Sequence, residues 1–252
     1  MMLKITKSCH MGCPHCMNDA KPSDEHMTFD VLKKAVRFLN THMSVLTLIS
    51  GGEPTEHPDF PRHMEYILEN TQGMAVTLTT NGIWLQDKEE FVDYLMYKYP
   101  MFNIQVSSMP GLYPKLVDTN MPLFKDEWAE RVVLCRKVER MYPQGRALSN
   151  GLSDGRDSKA CKCFNVRALA GQKPEWGLGE IVAALAGKGL SCTPYIAVDG
   201  SIKLGESDLC PVCSHIDKSD DEIIHDILYF TCHQCSFINK KLDANIRKLI
   251  GE

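Results

Sequence analysis

The feature that most constrains this chain is an alternation, over its first 110 residues, of short apolar runs with stretches of helical spacing. Residues 2–7 read as a strand. Thr28 is placed to cap a helix whose Leu32, Ala35, Val36 and Leu39 fall on one face. Residues 45–49 form a mostly apolar run suited to a buried parallel strand. Pro58 is placed to open a second helix carrying Phe60, Met64, Ile67 and Leu68. Residues 75–79 make a third strand. Asp87 and Glu90 give a helix start signal ahead of Phe91, Tyr94 and Leu95, and residues 102–107 make a fourth strand. This βαβαβαβ order predicts an α/β fold with a parallel sheet and right-handed crossovers. Between residues 112 and 150 the pattern weakens. Trp128, Val132, Cys135 and Val138 there share a helical face, which makes Cys135 a core cysteine.

Residues able to do chemistry follow these runs. Cys9, Cys13 and Cys16 stand as C-x3-C-x2-C directly after the first. Gly51-Gly52-Glu53-Pro54 follows the second, Thr79-Thr80-Asn81-Gly82 ends the third, and Ser107 ends the fourth. In parallel α/β sheets ligands bind at that C-terminal strand edge, so these independent segments converge where a site is expected. Three neighbouring thiolates can hold three irons of a cubane cluster and leave the fourth open to a second molecule. On spacing alone, a zinc site completed by His10 or His15 is the alternative. No apolar signal-peptide core precedes Cys9, so a reducing, cytoplasmic setting is expected and a disulfide framework is not.

The bulk numbers bound the rest. A chain of 252 residues, 44% hydrophobic and 24% charged, can bury one good core plus a small appendage. Its formal charge of −4 gives no electrostatic footprint for nucleic acid. Lys240, Lys241, Arg247 and Lys248 fit a solvated helix face. The longest apolar runs are too short to span a membrane.

The cysteine triad, the Gly51–Pro54 segment about 35 residues after it and the Thr79–Gly82 segment together resemble the radical S-adenosylmethionine (SAM) superfamily. The resemblance covers residues 1–150 best. It implies a partial (β/α)6 barrel over residues 1–152, although strands five and six are poorly marked. It also implies that Cys9, Cys13 and Cys16 hold a 4Fe–4S cluster whose open iron chelates SAM. An electron, delivered by a partner such as flavodoxin or ferredoxin, would then cleave SAM to a 5′-deoxyadenosyl radical that takes hydrogen from a substrate. His15 stands where the family usually has an aromatic ring near the adenine. Gly51, Gly52, Glu53 and Pro54 would bind the methionine end of SAM. A side chain at either glycine would block approach of the ammonium group, whose hydrogens backbone carbonyls and Glu53 would accept. Thr79, Thr80, Asn81 and Ser107 suit ribose or carboxylate contacts, with a simple Asn-Gly turn as the alternative. Cys135 gains a second reading as a hydrogen-atom donor. Gly145-Arg146-Ala147 resembles a segment near the barrel's end in peptide-modifying members, with a merely exposed Arg146 as the alternative.

From Ser153 the composition shifts to a polar linker, and the stretch after it holds seven of the eleven cysteines. Residues 195–198 and 201–204 flank Asp199-Gly200, a type I′ hairpin signal. Short helices are expected around Ile223, Ile224, Ile227 and Leu228, and around Leu242, Ile246, Leu249 and Ile250. Cys210-x2-Cys213 and Cys232-x2-Cys235 lie 18 residues apart, the spacing of paired metal knuckles. With Cys192 ahead of the hairpin, residues 160–252 resemble the small cysteine-rich SPASM and twitch extensions. That resemblance implies one auxiliary 4Fe–4S cluster drawing on Cys192, Cys210, Cys213, Cys232 and Cys235, with zinc as the alternative. Gly205 stands where those extensions usually place a cysteine. Cys161 and Cys163 fit ligands, a redox pair or structural thiols.

The extension makes a peptide or protein the expected substrate, through epimerisation, thioether formation or cross-linking. Since the sequence enters the first strand at once, such a peptide is expected to need a separate docking protein or direct recognition by the barrel mouth. Modification of a nucleoside or small molecule is the second expectation. An iron–sulfur or zinc protein without catalysis is the third, and Gly51–Pro54 and Thr79–Gly82 argue against it because a carrier needs no SAM pocket.

Overall fold

A computed structural model describes residues 1–42, 46–121, 124, 128–137, 145–152, 173, 175–186, 194–205 and 210–230. Strand β1 (Met2–Thr6) feeds the cysteine loop, which leads to α1 (Phe29–His42). Thr28 caps α1 as expected, its hydroxyl accepting the Val31 amide at 3.3 Å. Leu32, Ala35, Val36 and Leu39 are buried along one face together with Phe38. Strand β2 (Leu46–Gly51) is followed by a 3-10 turn (Pro54–Glu56) and α2 (Phe60–Asn70). Helix α2 opens two residues beyond Pro58, with Pro61 supplying the fixed φ of its first turn. Strand β3 (Ala75–Thr80), a second 3-10 turn (Ile83–Asp87) and α3 (Glu89–Lys98) come next. Asp87 does not cap α3. It ends the 3-10 turn, and Lys88 takes the cap position without a side-chain bond.

Strands β4 (Phe102–Ser107) and β5 (Val132–Cys135) complete the parallel series. The expected helical face through Val132 and Cys135 is a strand, and Trp128 sits in the turn before it. A short apolar run fits either period, and pairing decides between them: β5 lies against β4 from Ile104↔Val132 to Ser107↔Cys135. After α4 (Gly145–Ser149) and α5 (Leu178–Ala186) come β6 (Tyr195–Ile196), β7 (Ser201–Lys203), β8 (Val212–His215) and α6 (Asp220–Tyr229).

The eight strands among the described residues form one sheet in the order β5-β4-β3-β2-β1-β6-β7-β8. Neighbours from β5 through β6 run parallel, while β7 and β8 are antiparallel. The fold is therefore α/β with a dominantly parallel sheet. The hairpin continues this sheet on the β1 edge instead of forming a sheet of its own. Its turn is not type I′, because only Gly200 has positive φ (+88°). Gly200 N donates to Ala197 O (3.0 Å) and Ala197 N to Ser201 O (2.8 Å), a three-residue loop closed by a left-handed glycine. Helix α6 carries a full capping box from Ser219 and Glu222. It docks on α1 through Arg37–Asp220 (2.9 Å) and His42–Asp220 (3.0 Å).

Alternation gives the sheet two chemically different faces. Leu3, Ile5, Ile49, Val76, Leu78, Phe102, Ile104 and Val106 are fully buried against the helices. The opposite face carries Met2, Leu46 and Leu48 and, toward the C-terminal strand ends, a polar level. Lys4 pairs with Ser50 and Thr79 with Gln105, and since Ile49 pairs with Leu78, these four polar residues lie at one level across β1–β4. Cys161, Cys163, Cys192, Cys232, Cys235 and the expected last helix lie outside the described residues.

Candidate active site at the C-terminal edge of the sheet

A cavity of about 290 Å³ opens at the C-terminal ends of β1–β4. Cys9, Cys13, Cys16 and His15 line it from the loop after β1. Gly51, Gly52 and Glu53 line it after β2, Thr79, Thr80 and Asn81 at the end of β3, and Ser107 at the end of β4. Topology thus brings together segments far apart in sequence, as their positions after successive strands predict. Pro54 is buried at the start of the first 3-10 turn and is not on the wall. Cys135 is half-buried at the end of β5 and is not on the wall either.

Both glycines are needed, for a reason other than ligand approach. A Cβ at Gly51 would lie 2.3 Å from Thr6 O, and one at Gly52 2.1 Å from Ser8 O. Gly52 N donates to Thr6 O (2.8 Å) and Glu53 N to Ser8 O (2.7 Å), so the end of β2 is laced to the start of the cysteine loop. Real side chains would push these backbones apart.

Glu53 is buried and engaged by its own chain. Oε1 accepts from the hydroxyls of Thr80 (2.6 Å) and Thr55 (2.8 Å) and from Thr55 N (3.3 Å), while Oε2 accepts from Asn81 N (2.7 Å). Burial raises its pKa, and these donors oppose that shift. Glu53 therefore rivets the β2 loop to the β3 loop. Thr80 Oγ1 also accepts from Gly82 N (3.0 Å) and Trp84 Nε1 (3.1 Å), and Asn81 Oδ1 accepts from Ile83 N (3.0 Å).

The cysteine loop has anchors that its own sequence did not indicate. Glu56 accepts from Ser8 Oγ (2.7 Å) and from His10 N (2.7 Å), and its Oε2 lies 2.7 Å from His10 Nδ1. Glu56 holds the exposed His10 ring outside the cavity lined by the three cysteines. Arg146 reaches the loop from α4 and is a cavity residue as well. Tyr113, in the loop after β4, is bonded to Ser107, and burial raises its pKa. No local pattern marks Glu56 or Tyr113, because each acts on a partner from another segment. Arg146 stands in the Gly145-Arg146-Ala147 segment and, instead of being merely exposed, is 19% exposed and bound to the loop.

The residues present suit a cluster and its co-substrate. Among the described residues no three His, Cys, Asp or Glu side chains converge on a single-ion position, whereas three thiols spread around a cavity suit a larger multi-iron group. Burial pushes the Cys9 and Cys13 thiols up to about 11 and about 12, so metal must displace their protons. Ala20 N lies 3.4 Å from Cys16 Sγ, a donor of the kind that tunes such sulfurs. His15 Nδ1 is buried without a hydrogen-bond partner, while the Leu112 backbone engages the ring and Tyr113 lies 5.1 Å away. An orphaned acceptor on the cavity wall calls for a donor from a ligand.

On the sheet's far edge, a Cβ at Gly205 would lie 2.2 Å from Cys210 Sγ. The Cys210 sulfur thus fills the space a side chain at 205 would need. Cys213, in β8, has its Sγ 3.1 Å from Ile202 O.

A parallel sheet with a three-cysteine loop and a Gly-Gly-Glu-Pro loop at one edge defines a SAM-binding iron–sulfur class of enzyme. Residues 3–137 match the model of the radical SAM superfamily, and the chain belongs to that family. The family uses a 4Fe–4S cluster and SAM. The 7-carboxy-7-deazaguanine synthase of Aquifex aeolicus is 23% identical over 187 residues, covering 65% of this chain and 78% of that protein. The probable GTP 3′,8-cyclase of Methanococcus aeolicus is 28% identical over 135 residues, covering 50% of this chain and 43% of its own length. Among solved structures, BtrN in complex with AdoMet and 2-DOIA superposes with a TM-score of 0.56 at 14% identity, over 96% of this chain and 85% of that one. Native anSMEcpe with bound AdoMet and the Cp18Cys peptide gives 0.51 at 14% identity, over 94% and 80%. At that identity the likeness is one of fold. Among the described residues no helix is long and apolar enough to cross a membrane.

Proposed function

We propose that this chain is a radical SAM enzyme acting on a small polar substrate with a hydrogen-bonding edge, of nucleotide or heterocycle type. Cys9, Cys13 and Cys16 would hold the cluster; His15, the Gly51–Glu53 backbone, Asn81 and Ser107 would orient SAM, while Thr79, expected among the SAM contacts, goes to the substrate face. When bound, the cluster and SAM supply a one-electron cleavage that ends in hydrogen abstraction from substrate, with flavodoxin or ferredoxin as the electron source. The protein's own residues position the reactants and keep water out. Glu53 and Thr80 hold the wall rigid, and the helix-facing apolar layer behind it excludes solvent.

The observation that carries the substrate class is the polar part of the sheet's inner face. Ser50, Thr79 and Gln105 are half-buried at one level, and among the described residues their side chains make no hydrogen bond. A packed interior would place aliphatic residues there. Ser50 and Thr79 line the cavity, and Gln105, paired with Thr79 but outside that lining, would add an amide to two hydroxyls, a set that matches a substrate edge that both donates and accepts. The names of the two relatives above, which concern a deazaguanine and GTP, support the same class. The peptide substrate expected from the sequence gives way to this reading, since it rested on the C-terminal resemblance. An auxiliary cluster remains part of the proposal, with Cys210 offering its sulfur in the space beside Gly205.

The test is anaerobic turnover. The reconstituted protein, given dithionite and SAM, is assayed for 5′-deoxyadenosine with GTP, with a purine-like carboxylate and with an unstructured peptide. Stimulation by a heterocycle supports the reading. Stimulation by the peptide alone overturns it.

A further inference from the structure

Resting on the identification of the cysteine loop as cluster-binding, we infer that Arg146 is a positioning residue: its fork fixes the loop's shape and its charge raises the reduction potential of the bound cluster. The contacts are specific. Arg146 Nε donates to Cys13 O (2.8 Å), and its Nη1 donates to Ala20 O (2.9 Å) and Asp19 Oδ1 (2.9 Å). Its backbone N donates to Cys16 O (2.9 Å). One residue thus holds carbonyls of two cysteines and the carbonyl that follows the triad. Asn150, just past the end of α4, donates from Nδ2 to Pro14 O (2.9 Å).

The preceding residue shows how tight the fit is. Gly145 has φ +53°, and a Cβ there would lie 2.5 Å from Met17 O and 2.6 Å from Cys16 O. Glycine lets the α4 backbone press against the loop, and the next side chain then reaches two carbonyls and the Asp19 carboxylate. A planar guanidinium with several donors suits this task, whereas a lysine ammonium is a point charge without the fork. Arg146 is only 19% exposed, so solvent screens its charge weakly.

A positive charge beside the cluster favours the more negative, reduced state. Asp19 offsets part of that charge. It lies 42% exposed, takes Lys21 as a second partner at 3.0 Å, and has φ +49°, a left-handed conformation that asparagine also adopts readily. Charge and shape are therefore separable by substitution. Arg146→Gln removes the charge, Arg146→Lys keeps it without the fork, and Asp19→Asn leaves Arg146 less compensated.

The experiment uses the full chain, anaerobically reconstituted, with iron content, the EPR spectrum of the reduced cluster and a potentiometric titration as readouts. Arg146→Gln is expected to move the midpoint potential down and Asp19→Asn to move it up. Arg146→Lys is expected to stay near wild type in potential while retaining iron less well. Opposite shifts from Arg146→Gln and the isosteric Asp19→Asn are not produced by loosened structure alone. Full iron with wild-type potential in both Arg146→Gln and Asp19→Asn overturns the inference. If Arg146→Gln retains no iron, Asp19→Asn decides by the direction of its shift. A wild-type protein that takes up no cluster of about four irons overturns the cluster reading itself and the inference with it, and the variants are then irrelevant to the diagnosis.

Discussion

The cysteine loop with β1–β4 and the hairpin region β6–β8 both carry cysteines, yet they are built differently. Around the first triad the loops are tied to one another by the chain's own polar groups, while His15 Nδ1, Ser50 and Thr79 face the cavity without a hydrogen bond among the described residues. Glu53 ties two loops together, Glu56 holds Ser8 and His10, and Arg146 holds Cys13 and Ala20. The hairpin region is fastened to the body by strand pairing with β1 and by ion pairs such as Arg37–Asp220. The difference teaches that the first site is pre-organised by hydrogen bonds converging on it, while the second region is attached at its edge.

Substitutions break or sharpen this contrast. The largest effect is expected at Cys13→Ala, which removes one of the three proposed ligands and should abolish both the first cluster and 5′-deoxyadenosine formation. Cys210→Ala should leave the first cluster intact, so iron falls only partially. Iron analysis with EPR separates the two. Next, Gly52→Ala forces a Cβ against Ser8 O and should destabilise the apoprotein by about 3 kcal/mol in urea unfolding. Glu53→Gln turns an acceptor for Asn81 N into a donor and should lose about 1–3 kcal/mol by the same measurement. Smallest is Asp220→Asn where α6 meets α1, a half-buried carboxylate shared by an exposed Arg37 and by His42, expected to lose about 1 kcal/mol.

Loading should also depend on pH. The Cys9 and Cys13 thiols, pushed up to about 11 and about 12 by burial, are protonated at neutral pH and must lose protons to bind metal. Iron affinity should therefore rise from pH 7 to pH 9, with proton release on uptake. A flat profile would mean the thiols are not the groups binding metal.

Much of the first region was legible in the sequence because its information is local. Strand runs, helix faces and the segments after them sit in order, and the parallel topology brings them to one edge. What stayed hidden depends on pairing or distance. Cys135 belongs to a strand only because β4 offers it a partner, and the hairpin's turn type depends on the φ of Asp199. The need for Gly51 and Gly52 comes from the β1 backbone, more than 40 residues earlier. Arg146 finds its partners more than 120 residues away. The polar belt of Ser50, Thr79 and Gln105 is spread over three strands and appears only once their register is known.

The central claim is that the loop of Cys9, Cys13 and Cys16 holds a cluster with one iron left for SAM. Mössbauer spectra of the anaerobically reconstituted protein, recorded with and without SAM, test it most directly. A four-iron cluster in which one iron changes its spectrum on adding SAM is the predicted result. Four irons unaltered by SAM, or no iron bound by the loop, would contradict it.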